Sequence, residues 1–69
     1  MRAIRILLVD DHPVVRAGLR AMLTEFEGIT VASEAADGDA ALKELKRLQA
    51  LGETVDVVLM DLQIGRAHV

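Results

Sequence analysis

Cysteine, tryptophan and tyrosine are absent from this chain, and Phe26 is its one aromatic residue. Without thiols there is neither a disulfide framework nor a thiolate metal site. Without large aromatics the core has to be built from Val, Leu, Ile, Ala and Met. No apolar run approaches the ~20 residues of a membrane-crossing helix. The apolar run after Met1-Arg2 meets two aspartates too soon to be a secretory signal. A cytoplasmic protein with no membrane contact is therefore expected. Positive charge is also scarce: the net charge is -3 and the pI near 5.2. That balance offers no basic face, so no direct nucleic-acid binding is expected of this segment. The 69 residues allow one small domain or part of one, and 52% hydrophobic with 28% charged residues is a globular balance.

What the chain does have is two short apolar runs that each end in acid. Residues 4–9 run into Asp10-Asp11, and residues 55–60 run into Asp61. Both are β-branched and unalternating, which suits strands buried on both faces of a parallel sheet. Set side by side, they bring three carboxylates to one sheet end. Such anions repel one another unless a cation lies between them. A hard divalent cation on carboxylate oxygens, with room for a phosphate, makes a Mg²⁺ phosphoryl-transfer site.

The segments between the runs alternate in type. Pro13 suits the first position of a helix that Asp11 or His12 caps. Val15, Leu19, Met22 or Leu23, and Phe26 form its apolar stripe, while Arg16, Arg20 and Glu25 face outward. Gly18 costs ~1 kcal/mol there relative to Ala, a cost attributed to close packing on the sheet. Gly28 is the expected helix stop. Residues 29–33 read as a second strand. Asp37 is the expected N-cap of a second helix, with Asp39 favourable in its first turn. Ala41, Leu42, Leu45 and Leu48 line one face of that helix. Lys43, Glu44, Lys46 and Arg47 occupy a solvated face. Gly52 ends it, and residues 54–60 form the third strand. The β-α-β-α-β order implies a parallel sheet, whose ligands bind beyond the carboxyl ends of the strands. Both acidic sites fall there.

The stretch Leu8-Val9-Asp10-Asp11-His12-Pro13-Val14-Val15-Arg16-Ala17-Gly18-Leu19 closely resembles the start of a response-regulator receiver domain, most of all in the NarL/FixJ (LuxR-type) subgroup. Asp56-Val57-Val58-Leu59-Met60-Asp61-Leu62 resembles that family's phosphoacceptor strand. Glu34-Ala35-Ala36-Asp37-Gly38 resembles its turn into the second helix. The resemblance implies an α/β fold, part of a flavodoxin-like doubly wound parallel sheet with strand order 2-1-3. It makes residues 1–63 the N-terminal half of a receiver. It implies that Asp61 accepts a phosphoryl group from a sensor histidine kinase. Mg²⁺ would be held by Asp10, Asp11 and Asp61 and by the backbone carbonyl of Gln63. A longer parent would carry a C-terminal helix-turn-helix output domain controlling transcription and could form a homodimer. Such a module signals and is not an enzyme. His12 is then a helix-start residue and Asp56 has no chemistry.

The family pattern breaks after Asp61. A receiver continues with two more strands and three more helices. These supply a hydroxyl residue and a lysine that contact the phosphoryl group, the switch aromatic and most of the dimer surface. The 69-residue chain is accordingly expected to be inactive, with weak Mg²⁺ binding and little stable phosphate. Residues 64–69, Ile-Gly-Arg-Ala-His-Val, are what ATC GGA AGA GCA CAC GTC encodes, and TGA stops it. That string matches a common sequencing-library adapter, so a non-native tail is expected. Rival readings are an aspartate-nucleophile phosphohydrolase fragment, which would want Asp-x-Asp after the first strand, and a nucleotide-binding half-domain, which would want a glycine-rich loop. A third is a receiver-shaped interaction module that works without phosphorylation.

Overall fold

Five elements follow one another in the computed structural model, which describes residues 2–60. They are β1 (Ile4–Val9), α1 (Pro13–Leu23), β2 (Ile29–Ala35), α2 (Gly38–Ala50) and β3 (Val57–Met60). The three strands form one parallel sheet in the order β2-β1-β3, as expected. The most apolar strand takes the centre, where both its edges are paired and both its faces can be covered. Ile6, Leu7, Leu8 and Val9 are all buried. Leu7 and Val9 pack with Ala35 of β2 and Ala41 of α2. Leu8 lines the opposite face with Val15 and Leu19 of α1. Val9 is paired with both Ala35 and Met60, so the carboxyl ends of the three strands share one edge.

The strand limits differ from the sequence expectation for local reasons. β2 runs on to Ala35, because Glu34 and Ala35 keep pairing with Leu8 and Val9. Polar Ser33 and Glu34 hid this continuation in the hydropathy pattern. β3 begins only at Val57. Residues 54–56 are instead gripped by arginines. Asp56 Oδ2 accepts from Arg2 Nη1 and from the Arg5 N–H, each at 2.8 Å, while Arg5 Nε donates to the Thr54 carbonyl. The Arg2 guanidinium, and then the Arg5 amide, hold the Asp56 carboxyl below the usual carboxylate range.

Several expectations about the helices are corrected. α1 stops at Leu23, capped at Thr24, and Gly28 is not its stop. Gly28 instead takes φ 84° at the start of β2, and its carbonyl accepts the Ile4 N–H at 2.7 Å. Phe26 lies beyond the helix and is 56% exposed. No α1 residue is fully buried, because among the described elements the helix packs on β1 and β2 and leaves a cavity toward Leu59 and Met60 of β3. Gly18 does not pack against the described sheet: a Cβ added there meets nothing within 4 Å among the described residues. In α2, Asp37 caps as expected, its Oδ1 accepting the Ala40 N–H at 2.8 Å. Gly52, at φ 77°, closes the far end, with its N–H on the Gln49 carbonyl and the Glu53 N–H on the Leu48 carbonyl. Leu42 is not covered but exposed, beside an open groove of about 620 Å³ shared with Val58 and Met60. Glu44 is not on a solvated face. It turns toward β2 and accepts from the Ser33 hydroxyl and from Arg47.

Candidate functional site at the carboxyl edge of the sheet

The first acidic site is built by the end of β1. The Asp10 N–H continues the ladder, donating to the Ala35 carbonyl at 3.0 Å. The chain then turns away into α1, with Pro13 in the first turn and His12 at the N-cap position. His12 caps with no side-chain hydrogen bond. Its backbone N–H donates instead to Asp10 Oδ1 at 2.7 Å. That bond folds the Asp10 carboxylate back over its own loop.

Asp10 is 2% exposed. Its Oδ2 is buried and has no hydrogen-bond partner among the described residues. A buried carboxylate oxygen in that state is costly unless a cation or a donor reaches it. Asp11 is its opposite, with a side chain 68% exposed. The His12 Nδ1 lies 2.8 Å from Asp11 Oδ1 and 3.4 Å from Asp10 Oδ1. One ligand atom from each of Asp10, Asp11 and His12 fits within 4.8 Å. The carboxylate oxygens suit a hard cation such as Mg²⁺, and the imidazole nitrogen suits softer metals. The edge thus sets a deeply buried carboxylate beside a second, exposed one.

Of the expected site residues, Asp10 and Asp11 are brought together. Asp61 and Gln63 lie outside the described residues, as does the 64–69 tail. What the structure places is the strand leading to Asp61: β3 ends at Met60, opposite Val9. Asp56, expected to have no chemistry, lies at the other end of the sheet in its arginine clamp. Sequence reasoning missed Arg16 and Glu34. Arg16 Nη1 donates to the Asp10 carbonyl at 2.7 Å, and its Nε donates to Glu34 Oε1 at 3.1 Å. The signal was available. Helical side chains lean toward the N-terminus, so a long cation one turn past the cap reaches back over the preceding loop.

A β2-β1-β3 parallel sheet with acidic groups just past its central strand defines a flavodoxin-like α/β protein. The family profile described as response regulator receiver domain matches residues 6–68, and the chain belongs to that family. Such domains are signalling modules of two-component systems. The chain is 46% identical to the response regulator UvrY of Escherichia coli K12 over 61 residues, 88% of this chain and 26% of that protein. It is 41% identical over the same length to the response regulator GacA of Pseudomonas aeruginosa, again 88% and 26%. The crystal structure of the response regulator ChrA, from a heme-sensing two-component system, superposes with a TM-score of 0.57 at 32% identity. The match covers 94% of this chain and 43% of that one. The chain thus spans about a quarter of the length of the curated relatives it matches.

Proposed function

We propose that this segment is the phosphoacceptor part of a cytoplasmic response regulator of the NarL/FixJ subgroup, with Asp61 as the acceptor. The observation that carries the reading is the buried Oδ2 of Asp10, without a hydrogen-bond partner among the described residues, at the same sheet edge where β3 leads into Asp61. An Asp61 carboxylate oxygen attacks the phosphorus of a phosphohistidine on a sensor kinase. The P–N bond breaks, the histidine nitrogen keeps the electron pair, and an acyl phosphate forms. Asp10, Asp11, Asp61 and the Gln63 carbonyl would hold Mg²⁺, which when bound offsets the charge of phosphate and carboxylates. Asp10 supplies a desolvated anion and Asp11 an exposed one, so the pair is poised before any phosphoryl group arrives. In this reading the chain acts as an acceptor of phosphate and not as an enzyme. An output domain of helix-turn-helix type in a longer parent, and a homodimer of that parent, would read the modified state.

The test is incubation of the 69-residue chain with a small phosphodonor and Mg²⁺, read by intact mass. The expected result is a trace gain of one phosphoryl mass, lost in Asp61→Asn. Gain that survives Asp61→Asn overturns the acceptor assignment. Efficient, stable modification overturns the view that a hydroxyl and a lysine from further receiver sequence are needed. We also propose that residues 64–69 are translated adapter. A long genomic read with native bases encoding them would overturn that.

A further inference from the structure

Among the described residues, one side chain holds the loop that carries Asp10 and Asp11 from outside. Arg16 is only 23% exposed in its side chain, although it sits on what the pattern marks as the outer face of α1. Its Nη1 holds the Asp10 carbonyl at 2.7 Å and its Nε holds Glu34 Oε1 at 3.1 Å. Glu34 comes from β2, where it pairs with Leu8, and its second oxygen accepts from Arg20 Nη1 at 3.2 Å. One planar guanidinium therefore joins α1, β2 and the point where the chain leaves β1.

We propose that Arg16 is the positioning residue of the acidic loop, and that Glu34 keeps it in that role. The first half rests on how Asp10 is held. Its N–H is bound by Ala35, its carbonyl by Arg16, and its Oδ1 by the His12 N–H. Oδ2 alone is left without a partner among the described residues. With both flanking peptide groups pinned, the carboxylate has little freedom to swing toward solvent. It stays beside Asp11 in spite of their repulsion. The guanidinium also adds a positive charge at the loop without occupying a carboxylate oxygen. The second half concerns competition. An arginine this close to two aspartates would ordinarily pair with them bidentately. Glu34 draws the fork away through its own bond to Arg16 Nε and leaves the aspartates open to a cation. Residues that orient metal ligands from outside typically carry about 10- to 100-fold in metal affinity. The affinity part of the inference rests on the Mg²⁺ reading above; the loop geometry does not.

The experiment uses the 69-residue chain at low temperature with trimethylamine oxide, which favours burial. Mg²⁺ is titrated by calorimetry, and the Asp11 and His12 amides are followed by NMR before any metal is added. Arg16→Met is expected to weaken Mg²⁺ binding about tenfold or more and to move both amides. Arg20→Met loses a bond to the same Glu34 but touches no loop atom. It is expected to lower the thermal midpoint while keeping wild-type affinity and wild-type loop amides. Arg16→Lys cannot serve the Asp10 carbonyl and Glu34 together, so it falls between the two, and it carries the comparison if Arg16→Met does not fold. Unchanged affinity and unmoved amides in the Arg16 variants overturn the proposal. So does an equal loss in Arg20→Met, which would make the effect one of general stability. A wild-type chain with no Mg²⁺ affinity strikes the metal reading alone. The amides then decide for Arg16 if they move only in its variants, and against it if they do not.

Discussion

Asp10 bears the sharpest conflict in the molecule. Its carboxylate is fully shielded, one oxygen is spoken for by the His12 N–H, and the other faces no donor among the described residues. A buried carboxylate oxygen that neither a donor nor a cation reaches costs about 1–3 kcal/mol. Asp10→Asn keeps an acceptor for the His12 N–H and removes the charge. It is expected to raise the thermal midpoint of the metal-free chain and to abolish any further rise on adding Mg²⁺. Calorimetric melts of both forms with and without Mg²⁺ check this. A variant less stable than wild type without metal would show that the carboxylate is satisfied after all. The acidic doublet itself is plain in the sequence. That one member is buried and the other exposed is not, because burial depends on where the chain turns after β1.

At the scale of elements, one acid adds a polar tie to the apolar join between α2 and β2. Glu44 accepts from the Arg47 guanidinium and from the Ser33 hydroxyl, and these bonds lower its pKa from 4.5 to about 2. The folded value lies below the ordinary one. The contribution to stability is therefore fully present above pH ~4.5 and is lost as pH falls toward ~2. In Glu44→Gln that part of the acid sensitivity is expected to vanish. Urea midpoints measured at several pH values between these limits check it, and parallel curves for the two proteins would refute the role. Element types were readable from periodicity, and the caps Asp37 and Gly52 from their chemistry. Glu44 was misread because it lies on the polar side of α2. Which polar residues meet the neighbouring strand depends on how the helix is rolled on the sheet.

Taken whole, the molecule has a well-covered centre and an open flank. Val57, Val58, Leu59 and Met60 are each 38–45% exposed. Leu42 and Leu51 are 58% and 60% exposed, and the second edge of β3 has no strand partner among the described residues. A core of this size yields no more than ~3–5 kcal/mol, and an apolar unpaired edge invites association. The 69-residue chain is expected to unfold over a broad temperature range by circular dichroism and to bind a hydrophobic dye before it unfolds. A steep, dye-silent transition would overturn this.

The sequence by itself determined the order of elements, their parallel sheet, and the doublet placed at a strand end. These follow from local hydropathy, from turn and cap chemistry, and from the covalent adjacency of Asp10 to Val9. Only the tertiary structure decided that Asp10 is the buried member and that Arg16 reaches back to its carbonyl. It also decided that Glu34 holds that arginine in place and that α1 and β3 stay partly uncovered. Those outcomes depend on contacts between residues distant in the chain, such as Arg16 with Glu34, and no local pattern encodes such a distance.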